Sequence, residues 1–133
     1  SPYGGVFFYG IHLADLLVEL LGCGAAAVTS VLNAGALTSV IRFPNAVTGT
    51  ISMFAGGVKG WTVSAVGSAG VFQMPVTTDP NTYHATTRLF TEMFRTRREP
   101  FGDDRMLAPI ALLEGMRQSA ERGREVKIGR LSE

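Results

Sequence analysis

The chain has 133 residues, a formal net charge of +1 and one cysteine. That length suits one domain with one core, and so small a charge gives no long-range field to argue for nucleic acid or an anionic membrane as partner. Cys23 alone can build neither an intramolecular disulfide nor a thiolate metal site, which fits a reducing cytoplasm, the expected location.

The first element is a helix over Gly4 to Gly22. Leu13, Leu16, Leu17, Leu20 and Leu21 recur at the spacing of a buried face, while His12, Asp15 and Glu19 fall together on the other side at i, i+3 and i+7. Gly22 and Gly24 suit a left-handed cap, so the helix is expected to stop near Leu21. Gly22-Cys23-Gly24-Ala25-Ala26-Ala27 also matches the Gly-x-Gly-x-x-Ala dinucleotide fingerprint. That fingerprint must follow a strand and open a helix, whereas this one ends a helix and opens a strand, so it reads as a cap.

Short alternating segments follow: Ala25 to Leu32, a turn at Asn33-Ala34-Gly35, Leu37 to Phe43, Pro44-Asn45, Val47 to Phe54 and Gly56-Gly57. Gly60 to Val66 and Gly70 to Met74 flank a turn at Gly67, and the whole reads as an antiparallel meander. Val47, Gly49, Ile51 and Met53 point one way, and Thr48, Thr50 and Ser52 the other. From Ala25 to Val76 only Arg42 and Lys59 are charged, against nineteen charged residues from Thr77 to Glu133. A sheet face of Thr, Ser and Gly is expected to be covered, by a second copy of itself or by other parts of the chain.

Two helices and a short strand complete the chain. Thr82 to Arg97 offers Tyr83, Leu89, Phe90, Met93 and Phe94 as an apolar stripe, opened by Asp79-Pro80. Asp104 to Arg122 turns Met106, Leu107, Ile110, Leu113 and Met116 inward, with Gly123 ending it. Pro109 either begins that helix or kinks it. Glu125 to Ile128 reads as an edge strand. The fold class is α+β, a mainly antiparallel sheet with helices on one face. No uncharged apolar span of about twenty residues exists, so no membrane span is expected. The N-terminus lacks the basic residues of a secretory signal. Two histidines and one cysteine at these spacings make no zinc site.

A histidine such as His12, beside Asp15 on a polar helical side, is more often a structural hydrogen-bonding residue than a catalyst. Imidazole is nonetheless the side chain best suited to exchange protons near neutrality. The stretch Gly-Gly-Val-Phe-Phe-x-Gly-Ile-His-Leu-x-Asp-Leu-Leu-x-x-Leu-Leu-Gly from Gly4 to Gly22 resembles the motif carrying the catalytic histidine in the glucose-fructose oxidoreductase, inositol dehydrogenase and MocA (Gfo/Idh/MocA) family. Gly67-Ser68-Ala69-Gly70 resembles a Gly-x-x-Gly turn in the second domain of those enzymes. Glu114, Ser119, Ala120, Glu121, Gly123 and Val126 resemble the pattern of their closing helix.

The resemblance covers nearly the whole chain but only the C-terminal half of a family protein, so 1–133 reads as a single substrate and oligomerisation domain. It implies NAD or NADP in a full-length parent and none bound by this chain alone, since the Rossmann domain and the Glu-Lys-Pro lysine belong to the other half. The first strand of the family's second domain is expected before Ser1. The chain does not open with Met, which fits a fragment or a processed chain. By the same resemblance His12 takes the proton of a sugar or polyol hydroxyl as the small-molecule substrate is oxidised, and subunits pair through the sheet as homodimers or homotetramers. Phe8 stands where many members have an aspartate, and Tyr9 offers a hydroxyl from the neighbouring position. Phe8, Tyr9, Lys59 and Trp61 are the further candidates for lining the substrate pocket. The alternative is a binding or scaffold protein of the same fold, with Phe8 marking lost catalysis.

Overall fold

The computed structural model describes residues 6–55, 60–77 and 80–129. The chain divides into two compact units, 1–56 with 101–133, and 57–100. The first unit contains helix α1 (Val6–Leu21), strands β1 (Ala27–Asn33), β2 (Ala36–Arg42) and β3 (Thr48–Phe54), helix α3 (Asp103–Arg122) and strand β6 (Val126–Lys127). The second contains the strands β4 (Thr62–Gly67) and β5 (Gly70–Pro75) and helix α2 (His84–Thr96).

In the first unit the four strands run in the order β3-β2-β1-β6, every pair antiparallel. The β1–β2 hairpin closes through Ala34 and Gly35, both at positive φ (41° and 90°), the left-handed pair that matches the twist of the flanking strands. Helices α1 and α3 pack on each other and on one face of this sheet. Val28, Leu37, Ile41, Phe43 and Ile51 meet Ala14, Leu112, Leu113 and Met116 there in one buried cluster. Each large aliphatic side chain so removed from water stabilises the unit by roughly 1.5–3 kcal/mol.

The leucines of α1 are not its core. Gly10, Ala14 and Val18 are the buried residues, Leu13, Leu17 and Leu21 flank them half-buried, and Leu20 is 59% exposed. The seam is built on small side chains because the helix lies close to its neighbours: a Cβ on Gly10 would stand 2.9 Å from Leu113 Cδ2 and 3.2 Å from Met53 Sδ. The inward face of α3 is likewise rotated from the expected one. Pro109, Leu112, Leu113, Gly115, Met116 and Ser119 are buried, while Met106 and Ile110 are exposed. Pro109 neither starts nor ends α3, which begins at Asp103.

One polar cluster crosses the core. Ser30 Oγ and Ser39 Oγ share a hydrogen bond of 2.7 Å between β1 and β2. The Ser30 N–H donates to Ser119 Oγ at 2.8 Å, and Ser119 Oγ donates to the Arg124 carbonyl at 2.6 Å. Strand β6 pairs with β1 only at Ala27 and Val28, so the Ser119 hydroxyl takes the donor that a longer β6 would have accepted. A buried amide left without that partner would cost about 1–3 kcal/mol.

The single meander expected from β1 to β5 is two sheets. β4 and β5 pair only with each other, turning through Ser68 and Ala69 with Gly67 opposite Gly70. β1, β2 and β3 are joined by tight connections. The segment between Phe54 and Thr62 is longer and lets β4 open a new hairpin. In α2 the apolar stripe is solvent-facing, with Tyr83, Leu89, Phe90 and Phe94 exposed and Met93 half-buried. Its N-cap is Tyr83, without a side-chain cap; Asp79 and the Gly56-Gly57 turn lie outside the described residues.

On α3, Arg117 donates to Glu114 at 2.6 and 3.0 Å and to Glu121 at 2.6 Å, and Gln118 donates to Glu114 at 2.8 Å. The Arg117 hydrogen bonds, then that of Gln118, hold the Glu114 carboxyl down at about 2. Because the folded-state value is depressed, its contribution is complete above the ordinary carboxylate range and is lost as pH falls towards about 2. Glu114→Gln is therefore expected to flatten the loss of stability on acidification below the ordinary carboxylate range, measured by urea denaturation across pH.

Candidate functional site

α1 displays its polar side as expected, with His12, Asp15 and Glu19 all exposed on one face. Its end is fixed by Gly22, at φ 86°, whose N–H donates to the Val18 carbonyl at 2.8 Å. The chain then enters β1 at Ala27. Gly22-Cys23-Gly24 is therefore a helix C-cap, and no helix amides face outward there to hold a pyrophosphate. These residues do not fit a dinucleotide.

One helical turn before His12 stand Phe8 and Tyr9, 54% and 52% exposed. Their rings meet edge to face, with centroids 4.9 Å apart at 82°, a favoured aromatic geometry. Phe8 at i−4 and Tyr9 at i−3 place this pair beside the imidazole's face of the helix. Trp61 stands in the second unit, just before β4, where its carbonyl accepts the Val76 N–H at 2.8 Å. Lys59 lies outside the described residues. The helix thus brings Phe8, Tyr9 and His12 together.

Arg105, in the first turn of α3, is the residue that sequence reasoning missed. Its Nη1 donates to Asp15 Oδ1 at 2.6 Å, and its Nη2 and Nε donate to Glu19 Oε2 at 2.9 and 3.3 Å. The guanidinium also lies over the Phe101 ring, 5.7 Å from its centroid. The hydrogen bonds to Asp15 and then Glu19 raise the already high Arg105 pKa further. Both carboxylates are more than half exposed, so each pair contributes about 0–1 kcal/mol. Their value lies in direction. Nothing local in the sequence signals this contact, because its partners are 86 and 90 residues away.

A cleft of about 390 Å³ opens at the other end of α1, lined by Val18, Cys23, Ala25, Pro44, Asp104 and Leu107 among others. Neither His12 nor the aromatic pair lines it. Among the described residues no three His, Cys, Asp or Glu side chains group as metal ligands would, and no helix is long and apolar enough to cross a membrane.

No protein-family model matches the sequence, and no curated protein matches it significantly. Solved structures do match its fold. The WlbA dehydrogenase from Bordetella pertussis, in complex with NADH and UDP-GlcNAcA, is similar with a TM-score of 0.73 at 18% identity, over 95% of this chain and 46% of its own. The WlbA dehydrogenase from Chromobacterium violaceum, also with NADH and UDP-GlcNAcA, gives 0.68 at 16% identity, over 95% and 46%. The myo-inositol 2-dehydrogenase from Lactobacillus plantarum gives 0.59 at 17% identity, over 97% and 50%. The chain spans about half the length of the structures it matches, and the match is to their C-terminal part.

The close approach at Gly10 is what seats the helix carrying His12. Gly10→Val is expected to lower stability by about 1–3 kcal/mol through overpacking against Leu113 and Met53. Phe8→Ala, at an exposed position, should stay within about 0.5 kcal/mol. Urea denaturation of both variants is the check.

Proposed function

From the fold of the C-terminal part of Gfo/Idh/MocA-type dehydrogenases, which this chain has, we propose that it is the substrate-binding and oligomerisation domain of an NAD(P)-dependent oxidoreductase acting on a hydroxyl of a sugar, polyol or related molecule. The observation that carries the reading is His12, exposed on a helix whose polar face is anchored to α3 by Arg105. His12 accepts the proton of the substrate hydroxyl on its imidazole as the carbon bearing that hydroxyl is oxidised, and returns it in the reverse direction. Phe8 and Tyr9 flank the substrate. NAD or NADP, held by the other half of a full-length parent, would accept the hydride leaving that carbon; the glycine segment after α1 is a helix cap.

The test is turnover of the full-length parent with NAD and NADP over a panel of sugars and polyols. His12→Ala is expected to lower kcat by roughly 10²–10⁴-fold with cofactor affinity retained. Phe8, in place of the aspartate many family members have, favours a second reading, a scaffold protein of the same fold that has lost catalysis. Cofactor binding without turnover on any substrate, unchanged in His12→Ala, would decide for that reading.

Assembly through the sheet is the other half of the proposal. The face of the first sheet opposite the helices presents Thr29, Val31, Thr38, Val40, Thr50, Ser52 and Phe54, exposed and uncharged, with the exposed Arg42–Glu125 ion pair at one end of it. A second copy can approach such a face without like-charge repulsion. Val31→Glu would place two carboxylates in that interface. It is expected to convert a dimer or tetramer to monomer in sedimentation velocity while leaving the circular dichroism spectrum unchanged.

A further inference from the structure

The helix that carries His12 touches α3 in two chemically different ways. On its packed side Gly10 and Ala14 meet apolar groups, Leu113 Cδ2 and Met53 Sδ nearest to Gly10. Contacts of that kind are non-directional; they seat the helix and specify its rotation less sharply than a hydrogen bond does. On its polar side Arg105 takes Asp15 and Glu19, three and seven residues after His12 and on the same face. A guanidinium donates in a fixed, planar fork. Three of its N–H directions end on two carboxylates one helical turn apart, and all three bonds are satisfied together at one rotation of α1.

We propose that Arg105 is a positioning residue for His12: by binding Asp15 and Glu19 at once it fixes the rotation of α1 and therefore where the imidazole points. The stabilisation is small, since the carboxylates are exposed, and the geometric constraint is what the contact supplies. The kinetic part of the proposal rests on the reading of His12 as the proton-transfer group.

The experiment combines turnover of the full-length parent with ¹⁵N–¹H spectra of the histidine rings in the same protein. Arg105→Met is expected to lower kcat about ten- to hundredfold, with KM and cofactor Kd changed less than about twofold. The His12 ring resonances should move or broaden while those of His84 stay in place. Arg105→Lys, which keeps the charge and loses the fork, should recover part of both effects. Arg117→Met is the control. It removes the ion pairs of another arginine on α3, about 18 Å along the helix, and should change neither readout.

The proposal is overturned if the His12 resonances are unmoved in Arg105→Met, or if Arg117→Met reproduces the effect. Turnover that survives His12→Ala would instead remove His12 from the chemistry. The ring spectra would then still decide whether Arg105 sets its orientation.

Discussion

The first unit depends on how near α1 and α3 can come to each other and to the sheet. Gly10, Ala14 and Val18 form the contact side of α1, and a methyl group on Gly10 would require the Leu113 side chain to shift. That proximity brings Leu112, Leu113 and Met116 onto Val28, Leu37 and Ile41, and it brings the start of α3 within reach of the polar side of α1. The core and the candidate site are two results of one spacing. Widening it would open voids on one side of the helix and break the Arg105 contacts on the other.

The same spacing explains which parts of the fold were legible in the sequence. Strand positions were readable because a two-residue period and turn residues are local signals: Gly49 and Ile51 point inward and Thr48 and Thr50 outward, as the alternation requires. Helix ends were readable for the same reason, with Gly22 and Gly123 left-handed where α1 and α3 stop. Helix faces were less so. Counting leucines placed the buried side of α1 one step round from its true position, since close packing selects small residues, and a scale of hydrophobicity ranks them below leucine. Met106 and Ile110 misled in the same way on α3, where Pro109 and Gly115 hold the inward positions.

The candidate site divides along the same line. His12 and its polar neighbours share a helix, so their juxtaposition follows from spacing alone. Arg105 joins them from the far end of the chain, and only the folded unit shows it. The Ser119 hydroxyl has the same character: it occupies a position on β1 that a strand neighbour would fill, and its place in the closing-helix pattern does not reveal that contact. Side chains that complete another element's hydrogen bonding carry no periodic signature of their own.

Ser30 and Ser119 are separated by 89 residues, and all of 57–100 intervenes in sequence between the two parts of the first unit. The core is thus closed by a segment that leaves the ribosome after 57–100. Until α3 emerges, β1 to β3 can pair by short-range hairpins, while their inner face has only α1 to cover it. The Ser119 hydroxyl and the leucines of α3 therefore complete, from a distant part of the sequence, a sheet whose strands pair locally.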